Sequence, residues 1–150
     1  MLARRRKLTA AGFRAILVAM DEALRRYSRQ VASPRLGEEG QRRLLRSTAV
    51  VVGLGANGGV IASILVRAGV GTVRAIDRDI VEEVNLHRQV LFDEEDARDS
   101  VPKAKAAERR LRAANSTVRV EGVVAEDLYE PDLRDAAVAP AAPARGRPYE

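Results

Sequence analysis

The sequence predicts an α/β fold built on a parallel sheet, and three observations carry that prediction. Thr48 to Val52 is a continuous run of small and β-branched residues, the pattern of a fully buried parallel strand. A glycine cluster from Gly53 to Gly59 follows at once, and apolar residues then recur at helical spacing at Val60, Ile61, Ile64, Leu65 and Ala68. Thr72 to Ile76 reads as a second strand ending at Asp77. A crossover between two strands of one sheet is right-handed, which makes these strands parallel.

The other elements follow in order. Residues 1–20 read as a basic leader, in which Arg4 to Lys7 precede a small-residue and apolar stretch interrupted by Arg14. No small-x-small cleavage site follows before Asp21 and Glu22, so export is disfavoured. A basic amphipathic helix and an over-extended start ahead of Met20 explain the leader equally well. Asp21 to Arg29 is helical in pattern, and Val31 to Leu36, with Ser33-Pro34, reads as a loop. Glu38 to Arg46 predicts a second short helix with Leu44 and Leu45 buried. Gly69 and Gly71 stop the helix after the glycine cluster.

Ile80 to Ser100 is polar and irregular, and acid-rich from Asp93 to Asp99. Pro102 opens a helix at its first turn, and Ala114-Asn115 ends it. Val118 to Val124 predicts a third strand, with Gly122 as a weak point. Residues 131–150 lose all periodicity and read as a disordered Ala/Pro/Arg tail.

Composition excludes several classes of chemistry. Zero cysteines among 150 residues exclude disulfides, thiolate zinc sites, iron–sulfur clusters and a cysteine nucleophile in this chain. One histidine, His87, excludes a histidine-rich metal cluster. Aromatics at 3% leave little for base stacking. The net charge of +5 is not spread along the chain: residues 1–30 hold eight of the 26 bases and two of the 21 acids, leaving 18 bases against 19 acids elsewhere. A nearly neutral body argues against a nucleic-acid surface. No apolar run approaches the ~18–20 residues that a membrane span requires, so neither nucleic acid nor membrane is an expected partner.

Gly53-Leu54-Gly55-Ala56-Asn57-Gly58 matches G-x-G-x-x-G. Gly53 permits the tight turn, Gly55 lets a phosphate approach the backbone, and Gly58 lets the helix pack close to the strand. The helix N-terminus offers unpaired N–H groups and a partial positive charge to an anion. Asp77, 24 residues after the first glycine, is placed to accept hydrogen bonds from ribose hydroxyls. A ligand-free glycine turn would give the same letters, but a buried strand before it and a helix after it favour a nucleotide site. A dinucleotide-dependent oxidoreductase would share this fingerprint.

The flanking segments distinguish the two. Arg26-Tyr27-Ser28-Arg29-Gln30, the glycine loop, Asp77-Arg78-Asp79, Asn85-Leu86-His87-Arg88-Gln89 and Pro102-Lys103 occur in that order. Together they resemble the ThiF/MoeB/HesA family, the prokaryotic relatives of ubiquitin-activating enzymes, from about Asp21 to Asp127. The resemblance implies a Rossmann-like ATP-binding domain over residues 21–130 that adenylates the C-terminal carboxylate of a ubiquitin-like or sulfur-carrier protein. It implies ATP and magnesium as cofactors, a homodimer and a cytoplasmic setting. Carried over by motif, Gly53, Gly55 and Gly58 hold the nucleotide phosphates and Asp77 the ribose. Asp79 has a part in metal or phosphate positioning. Asn85, Arg88 and Lys103 resemble the residues on the ATP phosphates, and Arg29 the arginine that reaches the opposite subunit's site.

The chemistry fits those residue types. A carboxylate attacking the α-phosphate of ATP joins two anions, and the transition state adds charge to phosphate oxygens. Arginine, lysine and magnesium stabilise such charge without a covalent nucleophile. His87 departs from the polar residue usual at its position and reads as a loop histidine. Ala56 replaces a common glycine and preserves the turn. The family's second half, with its Asp-rich magnesium motif, further strands and paired CxxC zinc motifs, has no counterpart in these residues, so the sheet is expected to be truncated and the activity impaired. The expected architecture is thus α/β, a truncated Rossmann-like parallel sheet with short N-terminal helices. An NAD(P)-binding oxidoreductase fragment and a catalytically inactive dimerisation or binding module of the same ancestry are the alternatives.

Overall fold

A computed structural model describes residues 21–125. The leader at 1–20 and the tail at 131–150 lie outside the described residues, as do residues 126–130. Three parallel strands, β1 (Thr48–Val52), β2 (Thr72–Ile76) and β3 (Arg119–Val123), form one sheet in the order β1-β2-β3. The register sets Val50 opposite Arg74 and Arg74 opposite Glu121, and the last two form an ion pair across the sheet. The predicted strand–helix–strand crossover from β1 to β2 is present, and a second joins β2 to the parallel β3. β-Branched residues supply much of the buried strand surface, with Val73 and Val120 fully enclosed beside the smaller Ala75.

β1 is not the fully buried strand its composition suggests. Only Val51 is buried, and Val52 is 54% exposed. Position in the sheet explains this: among the described residues β1 pairs on one side only, with β2.

Among the described residues six helices surround the strands: α1 (Glu22–Arg25), α2 (Ser28–Val31), α3 (Gly37–Leu45), α4 (Ala56–Ala68), α5 (Glu94–Arg98) and α6 (Lys103–Ala114). The single helix expected over Asp21 to Arg29 is two short helices separated at Tyr27, whose backbone leaves the helical region and whose ring is buried against Gly69. In α3 the fully buried side chain is Gln41, while Leu44 and Leu45 are only half-buried. Gln41 is inside because its Nε2 donates to the Ala68 carbonyl at 2.9 Å, one of the free carbonyls at the end of α4. Gln30 Nε2 donates to the same oxygen at 3.2 Å.

The helix predicted after the glycine cluster is α4, but its packed face is Gly59, Ala62 and Val66, not the bulkier apolar residues. Val60, Ile61 and Ile64 are exposed, because small side chains allow α4 to lie close on the sheet and turn the larger ones outward. Gly69 ends α4 at φ 84°, the left-handed conformation that favours glycine at this cap. Gly122 is not a weak point of β3. A side chain there would collide with the Ala104 carbonyl of α6, so the glycine is what lets α6 seat on the strand.

The segment from Ile80 to Ser100 carries more structure than its composition suggests. A 3₁₀ turn spans Glu83–Asn85, and α5 follows behind a capping box. Asp93 accepts from the Asp96 backbone N–H at 3.0 Å, and Asp96 accepts from that of Asp93 at 3.2 Å. Asp96 is fully buried and paired with Arg109 and Arg110 of α6, so the acids here fasten the segment to the helix behind it.

The Asp96 N–H, then Arg110, hold the Asp93 carboxyl below its usual 3.8, at about 2. A depressed folded-state value contributes stability that is complete above the unfolded value and lost as pH falls through the folded one. The stability difference between the parent and Asp93→Ala is therefore expected to be constant from pH 7 to about pH 5 and to shrink between about pH 4 and pH 2. Urea unfolding across that range measures it. A difference that does not change with pH would remove the charge on Asp93 as its source.

Candidate functional site

The turn after β1 is built as the glycine spacing requires. Gly53 sits at φ 80°, and its N–H donates to the Ile76 carbonyl at 2.8 Å, which ties the turn to the end of β2. A side chain at Gly58 would run into the Gly53 carbonyl, so the first turn of α4 folds directly over the loop. Gly55 precedes α4 in extended conformation, and a Cβ there would meet only Gln89 Nε2, at 3.9 Å. The loop is therefore closed where glycine serves packing and open where a phosphate would approach. No side chain caps α4, which leaves its first N–H groups for an anion.

Asp77 does more than end β2. Its Oδ2 accepts from the Leu54 N–H at 2.6 Å and its Oδ1 from the Asp79 N–H at 2.8 Å. Leu54 has no exposed surface, so the first of these bonds satisfies a buried amide inside the glycine loop. Asp77 is thus a brace for the loop, and it also lines an open cleft of about 190 Å³. Val52, Gly53, Ile76, Asp77, Asp79 and Ala125 are among the residues lining it. The cleft lies beyond the carboxyl ends of the strands, where open parallel sheets bind ligands.

The chain leaves this edge at Asp79 and returns to it at Lys103. Val81 N–H donates to the Val101 carbonyl at 2.9 Å, and Lys103 N–H to the Asp79 carbonyl at 2.8 Å. With the bridge between Ile80 and Pro102, these bonds close the excursion at its base. They set the Lys103 Nζ 3.1 Å from Asp79 Oδ2, with the lysine side chain only 7% exposed. Lys103 and Asp79 therefore meet as an ion pair at the cleft. Arg78 lies 3.6 Å from the other Asp79 oxygen.

Within the excursion, Asn85 is buried and its Oδ1 has no hydrogen-bond partner. Arg88 is exposed, and its Nη1 donates to the Val84 carbonyl at 2.9 Å. The following residues press on the glycine loop and the start of α4: Gln89 faces Gly55, and Leu91 lies 3.3 Å from where a Gly59 side chain would begin. His87 is exposed. Gln89 was not among the candidates from sequence, because within Asn85–Gln89 nothing distinguishes a buried glutamine from an exposed one.

Arg29 does not join the others. It lies on α2 between Tyr27, which packs on Gly69, and Gln30, which bonds the Ala68 carbonyl. Both anchors are at the far end of α4 from the glycine loop, and 13 residues of helix span roughly 20 Å. Arg29 therefore sits apart from its own chain's cleft.

Comparison with known proteins agrees with this geometry. The model of the ThiF family matches residues 27–138. The chain is 50% identical over 117 residues to the sulfur carrier protein ThiS adenylyltransferase of Bacillus subtilis, covering 75% of this chain and 34% of that protein. It is 51% identical over 100 residues to the sulfur carrier protein adenylyltransferase of Thermus thermophilus, covering 67% of this chain and 36% of that protein. The chain spans about a third of the length of these curated relatives. Among solved structures, E. coli MccB with ATP superposes with a TM-score of 0.63 at 28% identity, over 78% of this chain and 34% of that one. Among the described residues no helix is long and apolar enough to cross a membrane.

Proposed function

This chain belongs to the ThiF family, and from that premise we propose that it forms the nucleotide-binding portion of an adenylyltransferase acting on the C-terminal carboxylate of a ubiquitin-like or sulfur-carrier protein. One observation carries the reading: Gly53, its brace Asp77, and Asp79 line one cleft at the strand ends, and the returning Lys103 pairs with Asp79. An ATP seated there would lay its phosphates on Gly53, Gly55 and Gly58 and its ribose on Asp77. The unfilled space at Gly55 and the unpartnered Asn85 Oδ1 fit a polar ligand that this loop does not itself supply.

In this reading Lys103 and Arg88 hold charge on the phosphates while the carrier carboxylate attacks the α-phosphate and pyrophosphate leaves. Lys103 is positioned for this by its backbone bond to Asp79, and Arg88 by its place beside Asn85 on the exposed side of the excursion. Magnesium, when bound, supplies further positive charge to the phosphates, and Asp79 is the cleft carboxylate not already turned to backbone amides. Arg29, remote from its own cleft, is assigned to the phosphates of a second copy in a cytoplasmic homodimer.

Titration with ATP–magnesium and with NAD tests the nucleotide. ATP–magnesium is expected to bind and to displace any bound NAD. Tight NAD binding that ATP does not displace would overturn the proposal. Pyrophosphate exchange dependent on an added carrier protein then tests the reaction.

A further inference from the structure

We propose that Asp96 is a positioning residue for Arg88: its buried ion pairs with α6 fix α5, and α5 fixes the turn that carries Arg88. This deepens the reading above and rests on it. α5 has five residues, and Asp96 is the only one of them that is buried. A helix this short does not hold its own place, and this one buries no apolar side chain that would seat it. Charge seats it instead. Asp96 is fully enclosed, Arg110 Nε and Nη2 donate to its Oδ2 at 3.0 and 2.9 Å, and Arg109 donates to its Oδ1.

Burying a carboxylate is a poor route to stability. The lost hydration offsets much of what the ion pairs return, and apolar side chains of similar volume serve a core as well or better. What two guanidinium groups on one carboxylate supply is direction. An apolar seat tolerates sliding or rotation of α5, whereas a carboxylate shared by Arg109 and Arg110 holds one register. The same carboxylate accepts the Asp93 N–H at 3.2 Å and so fixes where α5 begins.

That register passes back to Arg88 through the backbone. Asp93 caps α5 directly after Phe92, and Phe92 N–H donates to the Gln89 carbonyl at 3.2 Å. The N–H groups of Arg88 and Gln89 donate in turn to the Asn85 carbonyl, at 3.1 and 2.9 Å. Beyond α5, Val101 N–H donates to the Asp96 carbonyl at 3.0 Å, just before the bridge of Pro102 to Ile80. The excursion is therefore fastened at its base by the bridge and along its length by Asp96. Among the described residues the Arg88 guanidinium bonds only the Val84 carbonyl, inside its own turn. Its aim thus depends on the placement of the whole segment.

The test is a double-mutant cycle between Asp96→Asn and Arg88→Ala in the 150-residue chain. It reads the thermal midpoint and the affinities for ATP–magnesium and for adenosine, at a temperature where circular dichroism shows every variant folded. Asp96→Asn is expected to lower the midpoint, to weaken ATP about tenfold and to leave adenosine unchanged. Arg88→Ala should weaken ATP at least as much at the parent's midpoint. In the Arg88→Ala background, Asp96→Asn should lower the midpoint again and weaken ATP no further. A merely structural Asp96 would weaken ATP and adenosine alike, or weaken ATP equally with and without Arg88, and either result overturns the inference. Arg109→Gln keeps the Arg110 pair and serves if Asp96→Asn does not fold. It should weaken ATP by less, and only when Arg88 is present; unchanged ATP affinity overturns the inference. Arg88→Ala with the parent's ATP affinity would overturn it while leaving nucleotide binding in place. A folded parent that binds neither ligand would overturn the adenylyltransferase reading itself, and this inference with it.

Discussion

Gly58→Ala is expected to destabilise the fold by about 3 kcal/mol, the upper range for forcing extra volume into a packed site, and to abolish measurable ATP binding. The added methyl would overlap the Gly53 carbonyl, which is backbone and cannot rotate away as a side chain does. Relief requires moving either the first turn of α4 or the Gly53 peptide. That peptide is fixed by its own N–H, that of Leu54, which donates to Asp77 Oδ2, and Gly53 itself by its N–H bond to the Ile76 carbonyl. Gly53→Ala is the informative control, because nothing lies within 4 Å of the new methyl and only the positive φ is strained. Its cost should be about 1–2 kcal/mol. Thermal and urea unfolding of the two variants measure the difference. A Gly58→Ala protein with the parent's midpoint would mean that the loop relaxes freely and that its closure over Gly53 is not required.

Asp77→Ala carries the second large effect, and it should act on folding and on binding together. The substitution removes the acceptor of the Leu54 N–H, an amide with no access to water, and that of the Asp79 N–H. A buried donor left unpaired costs about 1–3 kcal/mol, and a lost ribose bond to a carboxylate removes about 1.5–3 kcal/mol from nucleotide affinity. Asp77→Asn separates the two roles. Its one remaining carbonyl oxygen can still take the Leu54 N–H, whereas its NH₂ end cannot accept from the Asp79 N–H or a ribose hydroxyl. The asparagine variant should therefore recover much of the stability and little of the ATP affinity. Parent-like ATP binding by a folded Asp77→Asn would leave Asp77 as a brace only.

The two predictions share a physical basis. The groups that hold the loop are those a nucleotide would use, so binding is prepared by folding rather than added to it. The Asp79–Lys103 pair fits the same pattern. The cation is positioned by a backbone bond at the base of the excursion and balanced by a carboxylate at the same cleft.

Local pattern was enough for the sheet and the main helices. β1 and β2 match their expected bounds, and α6 starts after Pro102 and ends before Asn115. These elements rest on short-range chemistry: β-branched runs, proline's lost donor at a first helical turn, and glycine's access to positive φ. The order of motifs from Tyr27 to Lys103 likewise carried the family, because motif order is a property of the chain and needs no contacts.

What the tertiary structure alone decided was which side of each element faces inward and which partner each polar group finds. Composition made Val60, Ile61 and Ile64 look like a core face, yet close packing of α4 depends on the small residues Gly59 and Ala62, a choice made only when helix meets sheet. The acids near Asp93 read as part of an irregular polar segment, whereas Arg109 and Arg110, a dozen or more residues later, pair with a buried Asp96. Gln89 could not be told from a surface glutamine because burial is set by neighbours distant in sequence, here Gly55. Asp77 was expected to serve ribose; that it also carries the Leu54 amide follows from the crossing of two strand ends. The chain's own letters specify conformation over a few residues, whereas burial, pairing and access to the cleft depend on contacts that only folding brings within hydrogen-bond reach.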